Sequence, residues 1–147
     1  MKLGTILATP AWFFICAVLP VRGQPAVKLL LNSSTTAGGQ PLQYPQTTKP
    51  EIKSELVTIP PGGQTGWHEH PNPTYAYIMT GKLTVETASG QQRQFKQGDS
   101  FLEVINTCHD GRNLGNIPAQ VLVVFMGRQG KPDTIRCTGK PPSTSPR

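Results

Sequence analysis

Between Glu51 and Gly127 the chain consists of short apolar or alternating segments, each followed by a turn-forming stretch. Segments such as EIKSELVTI, TYAYIMTG and AQVLVVFMG are separated by stretches such as PGGQ and TASGQ. Short strands at this turn spacing are typical of a small antiparallel sandwich or barrel. Glycine and proline number 15 each in 147 residues, and no long stretch has a helical composition. The pattern predicts an all-β fold, and the length favours a single domain.

Residues 1–23 have the outline of a secretory signal peptide. Lys2 precedes an apolar run from Ala11 to Val21, and Val21 and Gly23 suit cleavage before Gln24. This run of about 11 residues is shorter than the roughly 20 residues that span a bilayer. We therefore expect a secreted or periplasmic protein without a stable membrane anchor.

The remaining chain divides into three parts by composition. Residues 24–48 are predicted to form an N-terminal arm, in which Leu29 to Leu31 is a candidate edge strand on the subunit itself or on a partner. Residues 49–130 are predicted to form the barrel. Residues 131–147 end in a Pro- and Ser-rich stretch and are predicted to be a flexible C-terminal tail.

The charge balance is basic, with 14 Lys and Arg against 8 Asp and Glu. Loss of Lys2 and Arg22 with the signal peptide leaves a smaller excess of positive charge. The cations are spread along the chain without a run beside an aromatic ladder, so nucleic-acid binding is not expected. An anionic small molecule suits the charge.

Cys108 and Cys137 follow the signal segment. In an oxidising compartment they either pair or stay free, and the spacing in sequence does not decide between these outcomes. On a regular strand Cys108 faces away from its neighbour His109, so a disulfide or simple packing explains it better than a role in chemistry.

The three histidines lie in two segments, TGWHEHPNPTYAYIMTG and NTCHDGRN. Side chains at i and i+2 of a strand share a face, so His68 and His70 project together while Trp67 and Glu69 point away. Such a pair binds a metal ion in some proteins and is merely exposed or hydrogen-bonded in many others.

Both histidine segments resemble the sequence motifs of the cupin superfamily. Gly62, the HEH triplet and Gly81 have the spacing of its first motif. Gly98, His109 and Asn113 have the spacing of its second motif. The segment between the motifs is short, as in small single-domain bacterial cupins of the type-2 conserved barrel. The resemblance implies a double-stranded β-helix, or jelly-roll barrel, and metal ligation by His68, His70 and His109.

Three positions depart from these motifs. Thr74 stands where the first motif usually has a glutamate ligand, and Val104 and Asn106 replace the proline and glycine of the second. The expected ligand set is therefore three histidines without a carboxylate from the usual place. Glu103 is a candidate substitute from the neighbouring strand, although alternation through a loop does not fix its direction.

Further candidates come from strand alternation and from the second motif. Thr74, Ala76 and Ile78 should face the barrel interior, and Ala76 and Ile78 should line an apolar pocket around the metal. Asn113 is a candidate for orienting a ligating imidazole through its second nitrogen. Asp110 and Gly111 are expected to form a turn.

A site of three neutral imidazoles leaves the charge of a divalent transition metal uncompensated and favours an anionic ligand. Fe²⁺ best suits a chelating substrate with dioxygen, and Zn²⁺, Ni²⁺, Mn²⁺ and Cu²⁺ stay open. We therefore expect a dioxygenase-like oxidoreductase acting on a small anionic or enolisable molecule. The alternative is a non-catalytic cupin that captures an anionic metabolite through the same metal. The resemblance also favours a homodimer.

Overall fold

The structure is a computed structural model that describes residues 23–138, and the expected signal segment lies outside these residues except for Gly23. Within this range the regular elements are nine strands and no helices. They are β1 (Pro50–Ile59), β2 (His68–Glu69), β3 (Thr74–Thr80), β4 (Lys82–Thr87), β5 (Gln92–Lys96), β6 (Ser100–Leu102), β7 (His109–Arg112), β8 (Ala119–Arg128) and β9 (Ile135–Arg136). No helix that could cross a membrane is found among the described residues.

The strands form two sheets that face each other. One sheet has the order β1-β8-β3-β6 and the other β5-β4-β7-β2-β9, and neighbouring strands are antiparallel. This arrangement confirms the all-β jelly-roll barrel. The stretch TASGQ, read from the sequence as turn-forming, joins an antiparallel hairpin, because β4 ends at Thr87 and β5 begins at Gln92.

Strand β8 shows why the two sheets pack together. Its residues alternate strictly, with Val121, Val123 and Phe125 buried and Leu122 and Val124 only half-buried. Because alternate side chains of a strand point to opposite faces, β8 presents one apolar face to the interior. The buried face belongs to the core of the barrel, and β1 and β3 flank it on either side.

Gly81 forms the sharp connection between β3 and β4. Its φ of 74° lies in the left-handed region that favours glycine, and an added Cβ would lie 2.7 Å from the Pro118 carbonyl oxygen. The cupin motif glycine at this position is therefore required by the local backbone.

The expected turn at Asp110 and Gly111 is wrong, because both residues lie in β7. They pair with Glu86 and Val85 of β4, so the ladder overrides the local turn preference. A Cβ at Gly111 would lie 3.3 Å from Leu83 Cδ1 and 3.4 Å from Thr65 Cγ2, which shows how closely the neighbouring side chains pack there.

The expectation of a flexible tail is wrong for residues 131–138. Ile135 and Arg136 form β9 against β2, and Cys137 forms a disulfide with Cys108. Asp133 also forms an ion pair with Lys53 of β1 at 3.2 Å. Contacts distant in sequence therefore hold this segment on the barrel, and residues 139–147 lie outside the described residues.

The N-terminal arm contains no regular strand within residues 23–49, so Leu29 to Leu31 do not form an edge strand on their own subunit. It nevertheless follows the barrel through hydrogen bonds. The Ala37 N–H donates to the Leu102 carbonyl, and the Gln40 side chain bonds both the N–H and the carbonyl of Ile105.

Candidate metal centre

The barrel brings all three histidines to one point. His68 of β2 is paired directly with His109 of β7, and His70 follows β2 and bridges to Ile105. The ring centroids lie 4.4 to 5.1 Å apart, and one ring nitrogen from each histidine lies within 4.8 Å of the others. The convergence expected from strand alternation and from the two motifs is present.

Main-chain carbonyls orient the three rings. The Nδ1 atoms of His68, His70 and His109 lie 2.6 to 2.8 Å from the carbonyl oxygens of Gly66, Asp133 and Thr107, respectively. A carbonyl can only accept, so each Nδ1 is the donor and each Nε2 keeps its lone pair in the neutral ring. The pattern is the one that fixes histidine ligands in metalloproteins.

Glu103 adds a carboxylate to this cluster. Its Oε2 lies 3.0 Å from His109 Nε2 and 3.8 Å from His70 Nε2, and the side chain is buried. Glu103 follows β6, and its N–H donates to the carbonyl of Thr74 at 2.8 Å. The candidate from the neighbouring strand therefore faces the histidines, beside the position where the motif glutamate is missing.

The pKa values follow from burial and from this carboxylate. Burial is the main reason that the pKa values of His68 and His70 are lowered, so both rings stay neutral. Burial acts in the same direction on His109, but contact with Glu103 outweighs it and raises the pKa of His109. Burial acts to raise the pKa of Glu103, and the nearby imidazoles, led by His109, nevertheless lower it.

A cavity of about 300 Å³ lies between the sheets, and the histidines form part of its wall. Its apolar walls come from β1, β4 and β8 and consist of Val57, Ile59, Leu83, Val85, Val121, Val123 and Phe125. Thr134 and Arg136 from the C-terminal segment also contribute. A mostly apolar cleft with a few convergent polar groups is typical of a small-molecule site.

Thr74, Ala76 and Ile78 face inward as expected, but the expectation that Ala76 and Ile78 line the pocket is wrong. Their exposed fractions are 1%, 0% and 0%, and none of them contributes to the cavity wall. Ala76 and Ile78 pack within the core together with Phe101. Other core side chains cover them completely, so they have no surface left to present to a ligand.

Asn113 does not contact the histidine rings, so the expected role in orienting them is wrong. Its side-chain amide donates to the carbonyls of Ile59 and Ile117, and its Oδ1 accepts from the Gly115 N–H. The buried side chain therefore connects main-chain segments at the end of β1 and in the loop before β8.

Asn106 preserves the backbone at the motif position where a glycine was expected. Its φ of 46° lies in the left-handed region, which asparagine tolerates better than most residues with a side chain. Its N–H donates to the carbonyl of His70 at 2.9 Å. Although asparagine stands here where the motif has glycine, the main-chain hydrogen bond to His70 forms.

Several contributors to the site had no recognisable signal in the sequence. The orienting carbonyl of Asp133 and the cavity residues Thr134 and Arg136 come from the segment expected to be flexible. Trp67, expected to face away from the histidines, is among the residues that border the cavity. Only a pairing of Cys108 with Cys137 would have pointed to this segment.

Comparison with known families agrees with this architecture. The family described as "Cupin domain" matches residues 55–125, which include all three histidines and Glu103. Residues 55–125 of this barrel match a cupin domain. No curated protein matches the chain, whereas many solved structures resemble it.

Three solved structures illustrate how far the likeness extends. The oxalate decarboxylase formate complex from Lactobacillus farciminis is 29% identical over 58% of this chain and 26% of its own, with a TM-score of 0.51. DMSP lyases, 20% identical over 59% and 44%, have a TM-score of 0.51. An oxalate oxidase bound to glycolate, 23% identical over 57% and 45%, has a TM-score of 0.50. The latter two show the fold alone, and the cupin domain here spans less than half of each chain.

The residues present fit a divalent transition metal. The Nε2 atom of His109 is buried, and its polar neighbours are the Glu103 carboxylate and the other histidines, so it is directed into the cluster. Three imidazole donors with a carboxylate nearby suit zinc, iron, nickel, manganese or copper. His68, His70 and His109 are the residues that would hold such an ion.

Proposed function

We propose that this protein is a secreted or periplasmic metal-dependent cupin enzyme, a dioxygenase-like oxidoreductase acting on a small anionic or enolisable substrate. His68, His70 and His109 hold a divalent metal ion, of which Fe²⁺ suits the reaction best. The observation that carries the proposal is the convergence of three oriented imidazoles on a mostly apolar cavity. A cluster without an adjoining cavity would favour a purely structural metal.

Each part of the cavity has a role in this proposal. A bound ion supplies Lewis-acid and redox chemistry at open coordination positions. Val121, Val123 and Phe125 exclude water from the substrate, and Arg136 attracts its negative charge. The carbonyls that accept from each Nδ1 keep the rings aimed at one point.

The size of the cavity supports a small substrate, whose negative charge the bound ion and Arg136 would attract, although the wall also carries Glu55 and Glu103. A volume of about 300 Å³ lies at the lower end of the range for ligand sites. The structure that is 29% identical is an oxalate decarboxylase in complex with formate, so that cupin binds a small carboxylate. A diketone enolate or an aromatic acid is comparable in charge and has an apolar part that suits these walls.

The disulfide between Cys108 and Cys137 supports export from the cytoplasm. Disulfides persist in oxidising compartments and are rare where thiols are kept reduced. Together with the signal-like residues 1–23, the disulfide is the reason that we propose a secreted or periplasmic location.

The outer face of the sheet β1-β8-β3 supports a homodimer. Ten neighbouring side chains on this outer face are uncharged, and the one charged residue of β8 on this face, Arg128, lies at its end beside Pro50. The uncharged side chains are Ile52, Ser54, Leu56, Thr58, Tyr75, Tyr77, Gln120, Leu122, Val124 and Met126. A largely uncharged face of this kind is typical of a protein contact, and a second copy satisfies it symmetrically.

Oxygen consumption by the iron-loaded protein tests the proposed activity. We expect uptake with at least one member of a panel of diketones and phenolic acids, and loss of uptake in His68→Ala. Lys82→Ala, an exposed change on β4, is the matched control and should keep full activity. Saturable binding of these compounds without turnover would replace the proposal by the non-catalytic alternative, and neither binding nor turnover would reject both.

A further inference from the structure

We infer that Glu103 is a ligand of the metal. Glu103 lies in the segment after β6 and takes the place of the glutamate that the cupin motif has at position 74. The inference rests on the proposed metal centre and specifies its ligands. The metal centre then has three histidine ligands and one carboxylate ligand, and the carboxylate comes from the segment after β6 and not from β3.

The distances from Glu103 to two of the histidines fit ligands that share one ion. Two donor atoms bound at about 2.1 Å from a metal lie about 3.0 Å apart at a right angle and about 3.8 Å apart at a wider one. Glu103 Oε2 lies 3.0 Å from His109 Nε2 and 3.8 Å from His70 Nε2. The carboxylate therefore has the spacing of a ligand beside His70 and His109, whereas the group of donor atoms within 4.8 Å of one another consists of the three histidines.

The contact between Glu103 and His109 brings a carboxylate oxygen and a ring nitrogen together at 3.0 Å. The Nδ1 of His109 donates to Thr107, so in the neutral ring Nε2 carries a lone pair that faces the carboxylate. Two lone pairs at 3.0 Å repel unless a cation separates them. A proton on His109 satisfies this one contact, whereas a metal ion also satisfies the nitrogen of His70 that approaches the same oxygen.

Burial makes the same demand. Glu103 is 8% exposed, and its ion-pair partners among residues 23–138 are His70 and His109, with no lysine or arginine. A buried carboxylate requires a compensating positive charge. A proton shared with His109 provides one positive charge, and a divalent ion held by the three histidines provides two.

The backbone places Glu103 next to Thr74, the position of the motif glutamate. Thr74 is buried, and its hydroxyl donates to the Asn72 carbonyl, so it offers no ligand to a metal. Its carbonyl accepts from the Glu103 N–H. Positions 74 and 103 are therefore adjacent across the sheet edge. A carboxylate at position 103 can reach the metal centre in place of the motif glutamate at position 74.

This ligand changes what the centre can bind. A carboxylate among the ligands would halve the net charge of a divalent ion, and the centre would then attract an anionic ligand less strongly than three histidines alone would.

Cobalt binding to Glu103→Gln tests the inference with a signal independent of activity. The amide is nearly isosteric and can donate to His109 Nε2, so the variant should fold. We expect Co²⁺ to bind at least tenfold more weakly and with an altered visible d–d spectrum. Glu55→Gln removes another carboxylate that borders the cavity and should leave both readings unchanged. Should Glu103→Gln not fold, Glu103→Asp takes its place, with a weaker affinity and a shifted spectrum expected.

The outcomes separate the ligand from the centre. Suppose that the wild type binds Co²⁺ and that Glu103→Gln, or Glu103→Asp in its place, has the same affinity and spectrum. Glu103 is then not a ligand, and the three-histidine centre stands. If the wild type itself does not bind Co²⁺, the metal centre and this inference fail together.

Discussion

Asn113 is fully buried, and its side-chain amide forms three hydrogen bonds with main-chain atoms. Asn113→Ala leaves the carbonyls of Ile59 and Ile117 without this donor, and a buried unsatisfied group costs about 1–3 kcal/mol. We expect the free energy of unfolding to fall by about 2–4 kcal/mol, measured by urea denaturation of the metal-free protein.

Metal affinity, unlike stability, should depend little on Asn113. Asn113 contacts none of the three rings, so metal affinity of the folded Asn113→Ala variant should stay within about threefold of the wild type. A tenfold loss of affinity with unchanged stability would instead return Asn113 to the ligand-orienting role that its motif position suggested.

The sequence allowed the ligating side chains to be predicted better than their surroundings. His68, His70 and His109 follow from fixed spacing on strands, which is a local property. The partners of their Nδ1 atoms are main-chain carbonyls, which every residue has, so composition carries no sign of them. Glu103 could be proposed but not oriented, because the direction of a side chain in an irregular segment depends on its tertiary contacts.

At the scale of elements, the C-terminal segment contributes residues to the site, because it orients His70 and forms part of the cavity wall. β9 pairs with β2, the Cys108–Cys137 disulfide anchors it, and the Asp133 carbonyl accepts from His70 Nδ1. Its role was not predictable from its composition. The barrel strands were predictable because alternation and turns are local, whereas β9 depends on a covalent link across 29 residues.

Removing the disulfide in Cys108→Ala/Cys137→Ala should destabilise the oxidised protein by about 3 kcal/mol, since the crosslink closes a loop of this length. We also expect metal affinity to fall about tenfold, because His70 loses a fixed partner. Thermal unfolding and metal titration measure the two effects.

Lys53→Ala is the control for this segment, because it removes the ion pair with Asp133 and keeps the disulfide. Lys53 is half-exposed, so stability should change by less than about 1 kcal/mol. Unchanged metal affinity in the cysteine variant would show that β9 does not position His70.

At the scale of the whole molecule, the largely uncharged outer face of β1, β8 and β3 predicts self-association. Leu56 lies on the edge strand β1 opposite Leu122, and its exposed fraction is 56%. Leu56→Glu places a buried charge in the contact from each copy and should give a monomer in sedimentation equilibrium.

A matched surface change separates this effect from charge alone. Gln92→Glu adds the same charge on β5, in the opposite sheet, and should leave the association state unchanged. A wild-type protein that is monomeric at micromolar concentration would contradict the homodimer and leave the metal centre untouched.

Metal content of the purified mature protein tests the central claim most directly. The orientation of three imidazoles by main-chain carbonyls, with a cavity beside them, predicts one divalent transition metal ion per chain by elemental analysis, and none in His68→Ala/His109→Ala. A wild-type protein that contains no stoichiometric metal and takes up neither Fe²⁺, Zn²⁺, Ni²⁺ nor Mn²⁺ when these are supplied would contradict it.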